Sequence, residues 1–192
     1  QEYPKVALLN GGGAVFVWQG GRPGFQNIQA RFLAANGTFV TGDIRVNAST
    51  NSNQIGPDAA VLADGSVILV WTSFGDGSTR KDVKAQAFSA TGQRLGSEFR
   101  VNSYEPPYPY PPLNQRSPRV AALANGNFAV TWVTENVVNF SGEFNSTNAA
   151  TSSALAGSGA ASPNSNTVPP SGGLSTRRSR TVAGSIARPV SS

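Results

Sequence analysis

The sequence contains no cysteine, no histidine and no methionine. Without histidine and cysteine, the chain lacks the usual general base, the thiol nucleophile and the softer metal ligands, so it predicts no enzyme, no metal site and no cofactor. Because methionine is absent, we interpret Gln1 as a processed end, such as removal of a secretory signal leaves. This interpretation favours an extracellular protein, secreted or on the cell surface.

Long apolar runs are also missing. None approaches the roughly 18 residues that a membrane-spanning helix needs, so no membrane span is predicted. Positive charge is concentrated at one end: four arginines and no acidic residue follow Phe144, whereas residues 1–144 carry 11 basic and 10 acidic groups. The nearly neutral body argues against nucleic acid as a partner.

An internal repeat is the strongest signal present. The segments YPKVALLNGGGAVFVW (3–18), GPDAAVLADGSVILVW (56–71) and SPRVAALANGNFAVTW (117–132) align without a gap. A second segment occurs twice, IQARFLAANGTFVTGDIRVN (28–47) and VKAQAFSATGQRLGSEFRVN (83–102). Each segment alternates apolar and polar residues around a glycine-containing turn, a pattern typical of a β-hairpin. The repeat therefore predicts four-stranded antiparallel units.

The repeat is incomplete. Units 1 and 2 cover residues 3–49 and 56–102, whereas unit 3, residues 117–144, has no second hairpin. The predicted fold is all-β, with two and a half units in a domain of residues 1–144. We expect an open sheet or sandwich that a neighbouring chain completes, because natural proteins protect exposed strand edges. A Ser/Ala/Gly/Pro-rich arm, 145–176, and a basic segment, 177–192, follow the domain.

The unit resembles a known class of repeat. Its pattern is best seen in PRVAALANGNFAVTW (118–132) and in AQAFSATG (85–92) with EFRVN (98–102). This pattern is similar to the roughly fifty-residue β-strand repeats of large secreted or surface proteins, including hemolysin-type, RTX-like modules. The resemblance implies an extracellular β-repeat module, often propeller-like, and implies no defined activity. The calcium-binding nonapeptides that accompany such modules are missing here, so calcium binding is not carried over.

The C-terminal segment is the candidate for completing unit 3. Within TVAGSIARPV (181–190), Val182, Ile186 and Val190 share one parity, and Gly184 permits close approach. We expect this strand to be donated to the incomplete sheet of a neighbouring subunit, with residues 145–176 as the connecting arm. In the alternative, the strand folds back and completes unit 3 of its own chain.

Three tryptophans, Trp18, Trp71 and Trp132, end the second strand of each unit. The repeated placement predicts that they form the core of the repeat, because a large aromatic ring at one position of every unit is typical of packing between sheets. The alternative is a sugar-binding role for exposed rings, for which Tyr108 and Tyr110 in the proline-rich segment are better placed.

Four Asn-x-Ser/Thr sequons mark candidate glycosylation sites: Asn36, Asn47, Asn139 and Asn145. The secreted interpretation predicts a glycan on at least one of them.

Two carboxylates that could form a glycosidase pair, Asp43 and Glu98, occupy equivalent repeat positions, which favours a structural role for both.

These observations predict an extracellular structural subunit that assembles with itself into a filament or fibril through tail or strand exchange, and that carries glycans. The alternative is a monomeric adhesive or carbohydrate-binding module cut from a larger repeat protein. The two predictions differ in whether the chain has itself as a partner.

Overall fold

The computed structural model describes residues 1–75, 80–102, 114–135, 151–157 and 180–183, and every regular element in these ranges is a β-strand. The strands form three sheets of four, which confirms the all-β fold class. Sheet 1 contains β1 (Glu2–Leu8), β2 (Ala14–Gly20), β3 (Asn27–Leu33) and β4 (Ile44–Arg45); sheet 2 contains β5 (Gln54–Val61), β6 (Val67–Phe74), β7 (Lys81–Phe88) and β8 (Arg94–Arg100); sheet 3 contains β9 (Asn114–Ala122), β10 (Phe128–Glu135), β11 (Thr151–Gly157) and β12 (Arg180–Ala183).

The first hairpin of each sheet is closed by the same turn. Its glycine adopts a positive φ, between 82° and 86°, which is costly for residues with a Cβ atom. The glycine N–H donates to a leucine carbonyl three residues earlier: Gly12 to Leu9, Gly65 to Leu62 and Gly126 to Leu123.

Strand alternation gives every sheet two distinct faces. We call the side that carries the tryptophan of the second strand the front face, and the opposite side the back face. The front face of sheet 2 packs on the back face of sheet 1, where Leu69 and Trp71 meet Val15 and Val17 in one buried cluster. The front face of sheet 3 packs in the same way on the back face of sheet 2. The three sheets are therefore stacked front to back, and they do not close into a ring.

The Arg-Val-Asn ends of units 1 and 2 form identical structures. The Oδ1 atoms of Asn47 and Asn102 accept the backbone N–H of Ile28 and Val83, both at 2.7 Å. Both asparagines are at least 97% buried, with exposures of 1% and 3%. Each therefore extends the fourth strand along the third by satisfying a buried donor.

Sheet 3 differs from the sequence prediction in its second half. β11 pairs antiparallel with β10, with Val130 opposite Leu155, and it lies inside the segment 145–176 that is predicted to be an arm. β12 then pairs with β11 in parallel, with Leu155 opposite Val182. The chain thus supplies all four strands of its own sheet 3, as in the intramolecular alternative. The sequence does not reveal β11, because TSSALAG lacks the apolar alternation of a typical strand. The segment forms a strand because its backbone groups pair with the edge of β10.

Candidate functional site

The front faces of sheets 2 and 3 are covered by the preceding sheet. Trp71 is 0% exposed and Trp132 is 5% exposed. Their indole N–H groups donate to the side-chain oxygens of Gln54 at 2.9 Å and Gln115 at 2.8 Å. Each front face therefore contains a buried tryptophan whose one polar atom has a partner.

The front face of sheet 1 is open. Trp18, which occupies the position of Trp71 and Trp132, is only half-buried. It lines a cavity of about 460 Å³ whose walls include Phe16, Phe39, Arg31 and Asp43. This cavity is the candidate functional site, since it combines aromatic rings with opposite charges in one concave surface.

The apolar residues of β1 on the front face of sheet 1 are exposed, whereas their equivalents in sheet 2 are packed. Val6 is 60% exposed and Leu8 is 78% exposed. Their equivalents in sheet 2, Ala59 and Val61, pack against the buried cluster between sheets 1 and 2. The prolines show the same difference: Pro57 and Pro118 are buried, whereas Pro4 is exposed.

The glutamine of the Trp–Gln pair is a repeated position that the sequence analysis did not identify. Gln1, Gln54 and Gln115 are separated by the same 53 and 61 residues that separate the tryptophans, and this spacing is the signal that identifies them. Gln1 and Trp18 both line the cavity. Across the described part of the chain, the Trp–Gln hydrogen bond is made in sheets 2 and 3 alone.

An unusual backbone conformation also repeats at the edge of each front face. Tyr3, Gly56 and Ser117 occupy equivalent positions before the proline, and all have left-handed φ angles of 53°, 60° and 54°. Each lies in a bulge of the first strand. The Gly56 N–H donates to Gln19 Oε1 at 2.8 Å and the Ser117 N–H donates to Thr72 Oγ1 at 3.1 Å, in each case on the preceding sheet.

A second group of polar contacts joins sheets 1 and 2. Arg94 donates to the carbonyl oxygens of Arg45 at 2.6 Å and Val46 at 2.8 Å. Glu98 accepts the backbone N–H of Ala48 at 2.8 Å. These contacts fix the register of one sheet on the next, because each one pairs a front-face side chain with a backbone group.

The equivalent positions of Arg94 and Glu98 in sheet 1 are Phe39 and Asp43, and both line the cavity. Arg31 stacks 4.1 Å above the Phe39 ring and lies 3.7 Å from Asp43. The side chains of this ion pair are 41% and 53% exposed, so it contributes little to stability. Asp43 and Glu98 thus lie in separate sheets with separate cationic partners, Arg31 and Lys84.

The glycosylation candidates differ in their surroundings. Asn36 is exposed in the β3–β4 turn, where its Oδ1 accepts the N–H of Thr38 at 3.0 Å. The prediction for Asn47 needs correction, because the residue is 1% exposed and its Nδ2 donates to Asn27 and Ser49. A glycan on that nitrogen is incompatible with the fold. Asn139 and Asn145 lie outside the described residues.

Of the four residues predicted to take part in assembly, the structure describes one. Val182 lies in β12, whereas Gly184, Ile186 and Val190 lie outside the described residues, as do Tyr108 and Tyr110.

The described ranges hold no helix long and apolar enough to cross a membrane. Within the same ranges, no three acidic residues come close enough together to hold a metal ion.

No protein-family model matches the chain, and no curated protein sequence matches it. The solved structures that are similar in fold include an endo-arabinase from Bacteroides thetaiotaomicron (14% identity, 74% of this chain covered, TM-score 0.43), a GH43 endo-arabinanase from Bacillus licheniformis (16%, 69%, 0.44) and an endo-1,4-beta-xylanase from Bacteroides thetaiotaomicron (10%, 69%, 0.43). The chain spans 57%, 44% and 48% of these proteins. A likeness of this size carries no argument about activity.

Proposed function

We propose that this protein is a non-enzymatic, extracellular structural subunit that assembles with copies of itself into a filament or fibril. One observation carries the proposal: sheet 1 exposes a front face of the same design that sheets 2 and 3 bury. Exposed apolar patches on a soluble protein commonly mark interaction sites. Because the face repeats an interface already used twice in this chain, another β-sheet unit is the partner that fits it.

The exposed residues favour association energetically. Burial of a Val or Leu side chain is worth about 1.5–3 kcal/mol, and Val6, Leu8 and Trp18 would all gain from it. The left-handed backbone at Tyr3 costs about 1–2 kcal/mol in a residue with a side chain. At Gly56 and Ser117 the same geometry directs an N–H to the preceding sheet. Tyr3 therefore has the backbone of an interface residue.

Strand exchange and glycosylation belong to the same proposal. β12 pairs with β11 through four residues, so β12 of one copy could occupy the same edge of another copy with unchanged register. Asn36, in an exposed turn, is the described sequon that can carry a glycan.

Sedimentation velocity of the purified full chain over a hundredfold range of concentration tests this function. We expect species heavier than the 19.9 kDa chain to increase with concentration, and negative-stain images to show regular assemblies. A single species of monomer mass across the whole range would reject self-assembly.

The second candidate is carbohydrate binding at the open cavity. The observation that favours it is the placement of Trp18, Phe39 and Arg31 around one concave space, since aromatic faces and polar groups are typical of ligand sites. Isothermal titration against a glycan panel tests it, with Phe39→Ala as the variant expected to lose binding. If the chain binds a glycan and stays monomeric, this second candidate replaces the first.

A further inference from the structure

We infer that the partner of the open front face is the back face of sheet 3 of a second copy, docked in the register of the two interfaces inside the chain. This inference rests on the proposed self-assembly and adds the identity of both contacting surfaces. It makes the contact heterologous, so each copy uses one surface to receive and a different one to dock.

The internal interfaces show what covers a front face. Between sheets 1 and 2, and again between sheets 2 and 3, the front-face tryptophan packs on the alternating back-face residues of the preceding second strand. In each case the residue before the repeat proline donates its N–H to that strand. Continuing the same arrangement by one step places a back face in front of Trp18.

Sheet 3 supplies such a back face. Ala129, Thr131 and Val133 alternate along β10 at the positions of Val15, Val17 and Gln19. Valine has no side-chain acceptor, so the hydrogen bond that Gln19 accepts from Gly56 has no equivalent at Val133, and the docking is carried by the apolar contacts. Thr131 and Ala121, which lie on this side, are exposed. Among the described strands, the back face of sheet 3 and the front face of sheet 1 are the two broad sheet surfaces that no other sheet covers.

The residue volumes at one pair of positions on the two surfaces are complementary. Sheet 1 has Phe16 at the front position that Leu69 fills in sheet 2, so its front face is larger there. The back face of sheet 3 has Ala129 where sheet 1 has Val15, so it is smaller. Large residues on one surface and small residues on the other allow close packing without voids.

The turn between β3 and β4 also has open space beside it that a neighbouring sheet could fill. In sheet 2 the equivalent turn lies against sheet 1, where a Cβ atom on Gly92 would come within 2.7 Å of Thr41 and 3.0 Å of Phe32. In sheet 1, a Cβ atom on Gly37 would meet nothing within 4 Å. Among the described residues, the space beside Gly37 is therefore open, whereas Ala34 and Ala35 of the same turn lie against Gly12 and Gly13. A docked back face would occupy that space.

Two variants test the inference. Leu8→Lys places a charge on the front face of sheet 1, and Thr131→Lys places one on the back face of sheet 3. Both positions are exposed, so neither change disturbs the core. Phe25→Lys is the matched control: Phe25 is 43% exposed in the β2–β3 loop, with its ring under Arg22, and it does not line the cavity. Circular dichroism and thermal unfolding verify that all three fold.

We expect Leu8→Lys and Thr131→Lys each to sediment as monomers at concentrations where the wild type and Phe25→Lys assemble. Mixed together, the two variants should form a dimer of twice the chain mass that grows no further, because the mixture retains one intact front face and one intact back face per pair. A front-to-front contact is excluded by this result, since Thr131→Lys alone would then still dimerise.

The outcomes separate this inference from the proposed function. If the wild type assembles and Leu8→Lys assembles equally well, self-assembly stands and the front face is not the contact. If Leu8→Lys is monomeric but Thr131→Lys assembles, the front face is used and the back face of sheet 3 is not its partner. If the wild type never assembles, the proposed function fails and this inference fails with it.

Discussion

Sheets 1 and 2 are built from the same repeat pattern, yet their front faces have different surroundings. The tryptophan of sheet 2 is 0% exposed and hydrogen-bonded to Gln54, whereas Trp18 is half-buried beside an open cavity. Their hairpins, turns and terminal asparagines are equivalent. The difference therefore lies in what covers each sheet, and a position with one structural role in sheet 2 becomes a surface feature in sheet 1.

The comparison teaches how a repeat protein can acquire an interaction surface. Repeat units bury their apolar faces against neighbours, so a unit whose front face no described sheet covers exposes apolar surface. Here sheet 1 retains Val6, Leu8, Phe16 and Trp18, which suits a unit that receives a further neighbour.

The largest expected effect is a difference in the free energy of unfolding between variants of Trp71 and Trp18. Trp71→Ala should lower the free energy of unfolding by about 3–5 kcal/mol, because it leaves a cavity between sheets 1 and 2. Trp18→Ala should lower it by less than half of that amount in dilute solution, since the ring is partly solvated. Urea unfolding at submicromolar concentration measures both. Equal losses would show that Trp18 is as well packed as Trp71.

Two asparagine variants should lower the free energy of unfolding by similar amounts, because the hydrogen bonds they remove do not depend on what covers the front face. Asn47→Ala and Asn102→Ala each leave a buried N–H without its acceptor, at Ile28 and Val83. Each change should lower the free energy of unfolding by about 1–3 kcal/mol. Thermal and urea unfolding compare the two. A loss at one site alone would indicate that the units are less equivalent than their hydrogen bonds imply.

The third prediction concerns the Trp–Gln pair. Gln54→Ala leaves the buried Trp71 N–H unpaired and should cost about 1–2 kcal/mol. Gln1→Ala should change the free energy of unfolding of the dilute chain by less than about 0.5 kcal/mol, as an exposed substitution does. The same urea series measures both variants. A comparable loss at Gln1 would mean that it supports sheet 1 as Gln54 supports sheet 2.

The smallest expected effect is at the left-handed positions before the repeat prolines. Ser117→Gly should raise the free energy of unfolding by about 0.5–1 kcal/mol, because glycine adopts a φ near 54° without the steric cost of a Cβ atom. Gly56→Ala should lower it by a similar amount. Differential scanning calorimetry resolves both shifts. A destabilised Ser117→Gly would show that the serine side chain contributes more than its backbone angle costs.

Much of the fold could be predicted because its signals are local. The aligned Asn-Gly and Asp-Gly turns and the alternation before each tryptophan predict the hairpins of sheets 1 and 2. β11 could not be predicted in this way, since Thr151–Gly157 has neither turn nor alternation. Its place depends on the free edge of β10, a partner that no local pattern in the segment reveals.

The candidate site was only partly accessible from the sequence. The repeat identifies the three tryptophans, and its spacing also identifies Gln1, Gln54 and Gln115. The burial of Asn47, which rules it out as a glycan acceptor, follows from contacts across sheet 1 with Ile28 and Asn27. A sequon shows the acceptor residue and its hydroxyl partner, but it does not show whether the amide nitrogen is already bonded.

Strand parity is decided by the residues themselves: side chains alternate along a strand, so Trp18 and Val17 must lie on opposite sides of sheet 1. The order of residues likewise decides the turns, because only certain residues tolerate positive φ. What covers each side is decided by the packing of one sheet on the next. Trp18, Trp71 and Trp132 have the same position in the repeat and the same strand parity, and the presence of a preceding back face makes two of them core residues.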